Sequence, residues 1–146
     1  MSDAACVFCA IADGRVAAAV VSESRGMLAI MNLHPFNPGH VLVLPRRHVE
    51  TFWDLDSVVY SDVMTEARRV AKAVNAAYRP LKVGLLVSGF DVAHVHVHVV
   101  PLHEPHDLTS KRFLDGLVGS AEPSTLAAGA ARIRDALDRA DAAPPA

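Results

Sequence analysis

Apolar runs grouped around one long helical pattern predict an α+β domain on a mostly antiparallel five-stranded sheet, with one long helix and a short C-terminal helix. Three observations carry this. The strand links are too short for helical crossovers, except where the long helix intervenes. Residues 57–78 repeat apolar side chains at helical intervals, and a second, shorter stripe closes the chain. At 146 residues and 51% hydrophobic, one core suffices. The chain therefore reads as a single domain over 1–146, with its core at about 6–101 and an extension, 102–146, holding the short helix and a disordered tail.

The elements follow in order. Asp13-Gly14 is a turn, and residues 16–23 and 27–31 are strands joined through Ser24-Arg25-Gly26, a hairpin. Residues 32–39 hold two prolines and a glycine and must form a loop, which leads into a strand over 40–45. In the long helix, Val59, Val63, Ala67, Val70, Val74 and Tyr78 share a face, Asp56 or Ser57 caps the first turn, and Pro80 closes it. Residues 82–87 and 92–100 read as a second hairpin through Ser88-Gly89-Phe90-Asp91, in the middle of the sheet. The stretch from 102 to 120 is irregular. Leu126, Ala130, Ile133 and Leu137 then mark a short helix over 124–137.

The net charge of −2 comes from 14 basic and 16 acidic side chains spread along the chain, so no basic run offers nucleic acid a footprint. No segment is apolar for long enough to span a bilayer, and the first residues lack the basic and apolar regions of a secretory signal. These features predict a cytoplasmic protein with no membrane and no nucleic-acid partner. Two cysteines, Cys6 and Cys9, make a disulfide framework improbable and leave metal binding or reduced thiols open.

The run His94-Val95-His96-Val97-His98-Val99-Val100 alternates, so on an extended strand the three imidazoles share one face, spaced about 6.6 to 7 Å. Packing alone explains such a run poorly. A His-x-His pair on a strand can hold catalytic zinc, which would need a third ligand and a nearby base. Imidazole also acts without metal: the neutral ring is a nucleophile near pH 7 and its second nitrogen can rest on a backbone carbonyl. Nucleotidyl transfer needs an in-line nucleophile and donors on the phosphate oxygens, which suits His96 flanked by imidazoles.

The run resembles the signature of the histidine triad (HIT) superfamily. Asn32 and the stretch Pro38-Gly39-His40-Val41-Leu42-Val43-Leu44-Pro45-Arg46-Arg47-His48 are similar to that family's loop and strand lining a nucleotide pocket. With Cys6-Val7-Phe8-Cys9 the resemblance covers about 6–101 and points to the small hydrolase and transferase branch with an N-terminal Cys-x-x-Cys. It implies a homodimer with one extended sheet. It also implies hydrolysis or transfer on a purine nucleotide or nucleotide conjugate with a phosphoramidate or polyphosphate leaving group, through a nucleotidyl-histidine on His96. Carried over residue by residue, His98 contacts the phosphate, His40 assists beside it, and Asn32 meets the ribose. A nucleotide-binding module with little chemistry is the rival reading.

Just before the run the chain departs from the family pattern. Phe90 stands where relatives carry Gln, and Asp91 stands where a hydroxyl helps the leaving group. Asp91 either takes that substrate-binding role or caps a turn. Some triad proteins and the related galactose-1-phosphate uridylyltransferases place structural zinc on a Cys, Cys, His, His set. On that resemblance Cys6, Cys9, His48 and His94 are metal ligands, the zinc is a staple, and no catalytic cofactor is expected. The alternative is that both cysteines pack as small apolar residues. His34, His103 and His106 receive no role, Arg46 and Arg47 read as ordinary exposed charges, and Phe52 and Trp53 read as anchors for the long helix.

Overall fold

A computed structural model describes residues 5–108 and 119–142. Residues 109–118 of the expected irregular stretch and residues 143–146 of the expected closing tail lie outside these residues.

Five strands, β1 (Val20–Ser24), β2 (Met27–Met31), β3 (Val41–Pro45), β4 (Lys82–Leu86) and β5 (Val97–Leu102), form one sheet in the order β1-β2-β3-β5-β4. Every neighbouring pair is antiparallel. Helices α1 (Val7–Ala12), α2 (Ser57–Tyr78) and α3 (Pro123–Asp141) cover it. The α+β class and the five strands thus stand as expected.

Side-chain alternation divides the sheet into two faces. Met27, Ala29, Met31, Val41, Val43, Val97 and Val99 meet Val63, Ala67, Val70 and Val74 of α2 and Leu126, Ala130, Ile133 and Leu137 of α3 in one cluster. The intervening Leu28, Ile30, Leu42 and Leu44 meet Cys6, Phe8, Cys9 and Ala12 around α1 in a second. Strands β2 and β3 are consequently buried along their whole length. Asp56 caps α2, accepting from the backbone N–H of Val58 and Val59, and Arg79 ends it in the left-handed region.

Several boundaries differ from expectation, each for a physical reason. Strand β1 begins at Val20, with an irregularity between Val20 and Ser22; ahead of it the Ala19 carbonyl still accepts the Met31 N–H of β2 at 2.9 Å, while residues 16–18 lie outside the strand. Its turn to β2 uses Arg25 and Gly26, both at positive φ, which suits the twist of a two-residue hairpin. The second pair is not a tight hairpin: residues 87–96 intervene, β4 lies at the sheet edge, and β5 starts only at Val97. His94 and His96 therefore precede the strand, because burying the His94 ring pulls the chain away from the ladder. The C-terminal helix is longer than expected, with Glu122 as N-cap and Pro123 pre-set for the first turn. Helix α1, a six-residue element over the Cys-x-x-Cys, is too short to announce itself by periodicity. Phe52 meets the ring of Tyr60, with centroids 5.6 Å apart, but Trp53 is 80% exposed and anchors nothing.

Candidate active site

Where β3 and β5 pair, Leu42 lies opposite His98, and the α1 face of the sheet gathers the imidazoles. Their hydrogen bonds assign each tautomer. His96 Nδ1 lies 2.6 Å from the carbonyl oxygen of His94. A carbonyl only accepts, so Nδ1 carries the proton and donates, which leaves the lone pair on Nε2. Burial lowers the pKa of His96, against the His94 carbonyl and the Asp91 charge, so the ring is neutral near pH 7. The ring is buried, with the Phe8 edge 4.9 Å from it, centroid to centroid.

His98 and His40 form a directed chain. The backbone N–H of Phe36 donates to His40 Nδ1 at 3.1 Å, so the proton of His40 sits on Nε2. That Nε2 faces His98 Nδ1 at 3.0 Å and donates to it. His98 must then carry its own proton on Nε2, available to an oxygen of a ligand. Burial pushes His40 down to about 3, with His98 and His96 adding repulsion, and pushes His98 down to about 4, with His96 adding to it. Both rings are uncharged donors at neutral pH.

The loop ahead of β3 is built to hold this chain. Phe36 stacks on His40 and His98 at centroid distances of 5.0 and 6.4 Å. Asn37 donates from Nδ2 to the Pro101 carbonyl at 2.9 Å, tying the loop to β5. Asn32 accepts the His34 N–H on Oδ1 at 3.1 Å, which turns its Nδ2 toward the His40 ring, 3.3 Å away. Gly39, at φ +94°, sits on the Tyr78 ring so closely that an added Cβ would lie 2.7 Å from it. Sequence reasoning missed Phe36 and Phe8, since a lone aromatic in a proline loop or a short helix carries no pattern.

His94 faces a different task from its two companions. Its Nε2 donates to the Pro45 carbonyl at 2.8 Å, so Nδ1 offers a lone pair, and this lies 3.4 Å from Cys6 Sγ and 3.7 Å from Cys9 Sγ. His48 Nδ1 lies 3.4 Å from Cys9 Sγ. The ligand atoms of Cys6, Cys9, His48 and His94 all lie within 4.8 Å of one another. Tetrahedral zinc with bonds of about 2.0 to 2.3 Å separates its ligands by about 3.3 to 3.8 Å, so the donor set and spacing fit. Burial raises the Cys6 thiol above its ordinary value, a cost that a cation would offset. With one nitrogen on Pro45 and the other toward the thiols, His94 has none to share with His96 and His98 in a common metal site.

The remaining candidates fall away from the cluster. Asp91 is exposed and near enough to act electrostatically on both His96 and His98. His34, His103 and His106 are exposed. Arg46 bonds Glu23 at 2.9 Å and the Ala12 carbonyl, and Arg47 bonds Asp56 at 2.6 Å.

An antiparallel sheet that carries a histidine run at its β5 entry, with a fourth histidine from the preceding loop, defines a protein of the histidine triad class. The model of the HIT domain family matches residues 13–105, and the chain belongs to that family. It is 33% identical over 143 residues to an uncharacterized HIT-like protein of Mycobacterium tuberculosis, covering 94% of this chain and 96% of that one. It is 31% identical over 100 residues to adenosine 5'-monophosphoramidase HNT1 of Saccharomyces cerevisiae, covering 68% of this chain and 63% of the relative. It is 33% identical over 88 residues to an AP-4-A phosphorylase of M. tuberculosis, covering 56% of this chain and 45% of the relative. A zinc-bound histidine triad family protein of Mycobacterium smegmatis has the same fold, with a TM-score of 0.79 at 26% identity, over 96% of this chain and 98% of the other. Among the described residues no helix is long and apolar enough to cross a membrane.

Proposed function

We propose that the protein hydrolyses a nucleotide phosphoramidate or dinucleoside polyphosphate, or transfers its nucleotidyl group, through a covalent intermediate on His96. The observation that carries this reading is the 2.6 Å contact from His96 Nδ1 to the His94 carbonyl. It holds the ring as a neutral nucleophile with Nε2 unprotonated. A relative that acts as an adenosine 5'-monophosphoramidase and one that is an AP-4-A phosphorylase support a purine nucleotide as substrate.

In this reading Nε2 of His96 attacks the α-phosphorus in line with the leaving group, and water later releases the nucleotide. His98 donates its Nε2 proton to a phosphate oxygen, and His40 fixes that proton's location. Asn32 turns toward the ribose, and Asp91 stands at the leaving-group side. Cys6, Cys9, His48 and His94 hold a structural zinc, which when bound would supply a fixed positive charge that keeps the thiols ionised and clips α1 to the sheet. The chain folds as one HIT-like domain with its core at about 6–101, and it pairs as a homodimer along β4, whose edge carries the exposed Leu85 and Leu86.

Rapid quench with a nucleotide labelled on the α-phosphorus tests the reading. Label should appear on wild-type protein and not on His96→Gly. Full-rate turnover by His96→Gly would refute it, and tight nucleotide binding without turnover of any substrate would favour a binding module.

A further inference from the structure

The loop from Asn32 to His40 rests on α3, which lies beyond the residues 13–105 that the HIT domain model matches. The Ala121 N–H, just ahead of α3, donates to the Leu33 carbonyl at 2.9 Å, and Ser120 Oγ lies 2.9 Å from His34 Nε2. At its other end the loop meets Tyr78, the last residue of α2. Gly39 is buried against that ring so closely that an added Cβ would stand 2.7 Å from both Cδ2 and Cε2. The Arg132 guanidinium of α3 covers the ring, with Cζ 4.3 Å from its centroid. Gly129 lets the same helix close in: a Cβ there would lie 3.2 Å from the Tyr78 hydroxyl and 2.8 Å from Met31 Cε. Two residues without side chains and one guanidinium thus hold a single ring against both α3 and the loop.

The ladder of β2 and β3 holds the ends of the loop, through Met31 opposite Val41 and the Asn32 N–H on the His40 carbonyl at 3.0 Å. The residues between those ends control His40. The Phe36 N–H sits 3.1 Å from His40 Nδ1 and decides which nitrogen of that ring is protonated. Asn37 tethers the middle of the loop to the Pro101 carbonyl at 2.9 Å, a point about which the rest can pivot. The contacts at Leu33, His34 and Gly39 stop that pivot on either side of Phe36. A displacement of Phe36 by about 1 Å takes its N–H out of hydrogen-bond range of Nδ1. His40 then samples both tautomers. In the wrong one its Nε2 no longer donates to His98, which loses the bond that keeps its own proton on Nε2.

We propose that Tyr78 is a positioning residue for the histidine site, held by Arg132 and Gly129 of α3 and acting on His98 through Gly39, Phe36 and His40. This deepens, and rests on, the reading of His96 as the attacking residue with His98 as the donor to the phosphate oxygen. Tyr78 meets no reacting atom and works only through the loop. The atoms that touch Gly39 are ring carbons, so the flat ring supplies the contact and the hydroxyl does not. A phenylalanine at this position keeps the function. An aliphatic side chain, which offers neither a flat face to Gly39 nor a π-system to Arg132, loses it.

Imidazole nitrogen NMR shifts of the full-length, nitrogen-labelled protein report the His40 tautomer, and hydrolysis of adenosine 5'-phosphoramidate reports turnover. Both are measured for wild type, Tyr78→Phe, Tyr78→Leu and Arg132→Ala. Wild-type His40 should show a single tautomer with the proton on Nε2. Tyr78→Leu should show both tautomers and lose about tenfold in kcat with KM held within about threefold, whereas Tyr78→Phe should match wild type within about twofold. Arg132→Ala, at an exposed position, should lose about threefold in kcat and begin to mix tautomers; it carries the test if Tyr78→Leu does not fold. A folded Tyr78→Leu that keeps the single tautomer overturns the positioning role whatever its rate, as does one that mixes tautomers at wild-type kcat. If the wild type turns nothing over, the reading of His96 fails and the spectra decide on Tyr78: mixing in the leucine variant with restoration in the phenylalanine variant upholds the clamp, and its absence overturns it.

Discussion

The His94 carbonyl accepts from His96 Nδ1 at 2.6 Å while the His94 ring reaches the two thiols. One residue therefore joins the cysteine cluster to the candidate nucleophile through its own backbone. Displacing the His94 ring would shift the carbonyl that sets the His96 tautomer.

Cys9→Ser should remove bound zinc and lower the melting temperature by about 10 °C or more, because metal binding energy is folding energy in such sites. Metal content by elemental analysis and thermal unfolding with and without chelator check this. Equal stability with and without metal would refute the zinc assignment.

Stability should fall as pH drops below about 6.5. His40 and His98 have folded pKa values near 3 and 4, below the unfolded value, so between those limits the unfolded chain binds more protons and each ring adds up to about 1.4 kcal/mol per pH unit to the slope. The contribution is fully present above 6.5 and is lost as pH falls toward 4 for His98 and 3 for His40. Urea unfolding at pH 7, 5.5 and 4.5 measures it, and His40→Gln should flatten the curve.

Gly39→Ala combines a left-handed φ with a Cβ 2.7 Å from the Tyr78 ring, and should cost about 2 kcal/mol or more. Tyr78→Ala in the same chain should recover the steric part and leave the backbone part. A double-mutant cycle by chemical denaturation reads the coupling.

If β4 is the dimer edge, Leu86→Lys should shift the protein toward monomer in light scattering over a concentration series, because a charge blunts an exposed strand edge. A wild type that stays monomeric at high concentration would exclude the paired sheet.

The long helix, the first hairpin and the sheet class were legible because side-chain period alone specifies them: Val63, Ala67, Val70 and Val74 can form only one helical face. The start of β5 was not, since it depends on the His94 ring reaching Cys6 and Pro45, contacts between residues far apart in the chain. Alternation marked His96 and His98 as chemically unusual. The Cys6, Cys9, His48, His94 set came from resemblance, and only the folded chain shows its four ligand atoms within 4.8 Å. Phe36, which orients His40 through a backbone N–H, leaves no trace in composition or spacing.

The two faces of the sheet divide labour between cohesion and chemistry. Odd-numbered positions such as Ala29, Val43, Val97 and Val99 look toward α2 and α3, whereas Leu28, Leu42 and His98 look the other way. An engineer raising the heat tolerance of this protein could redesign the helical side, one methyl group at a time, while the reacting side kept its arrangement.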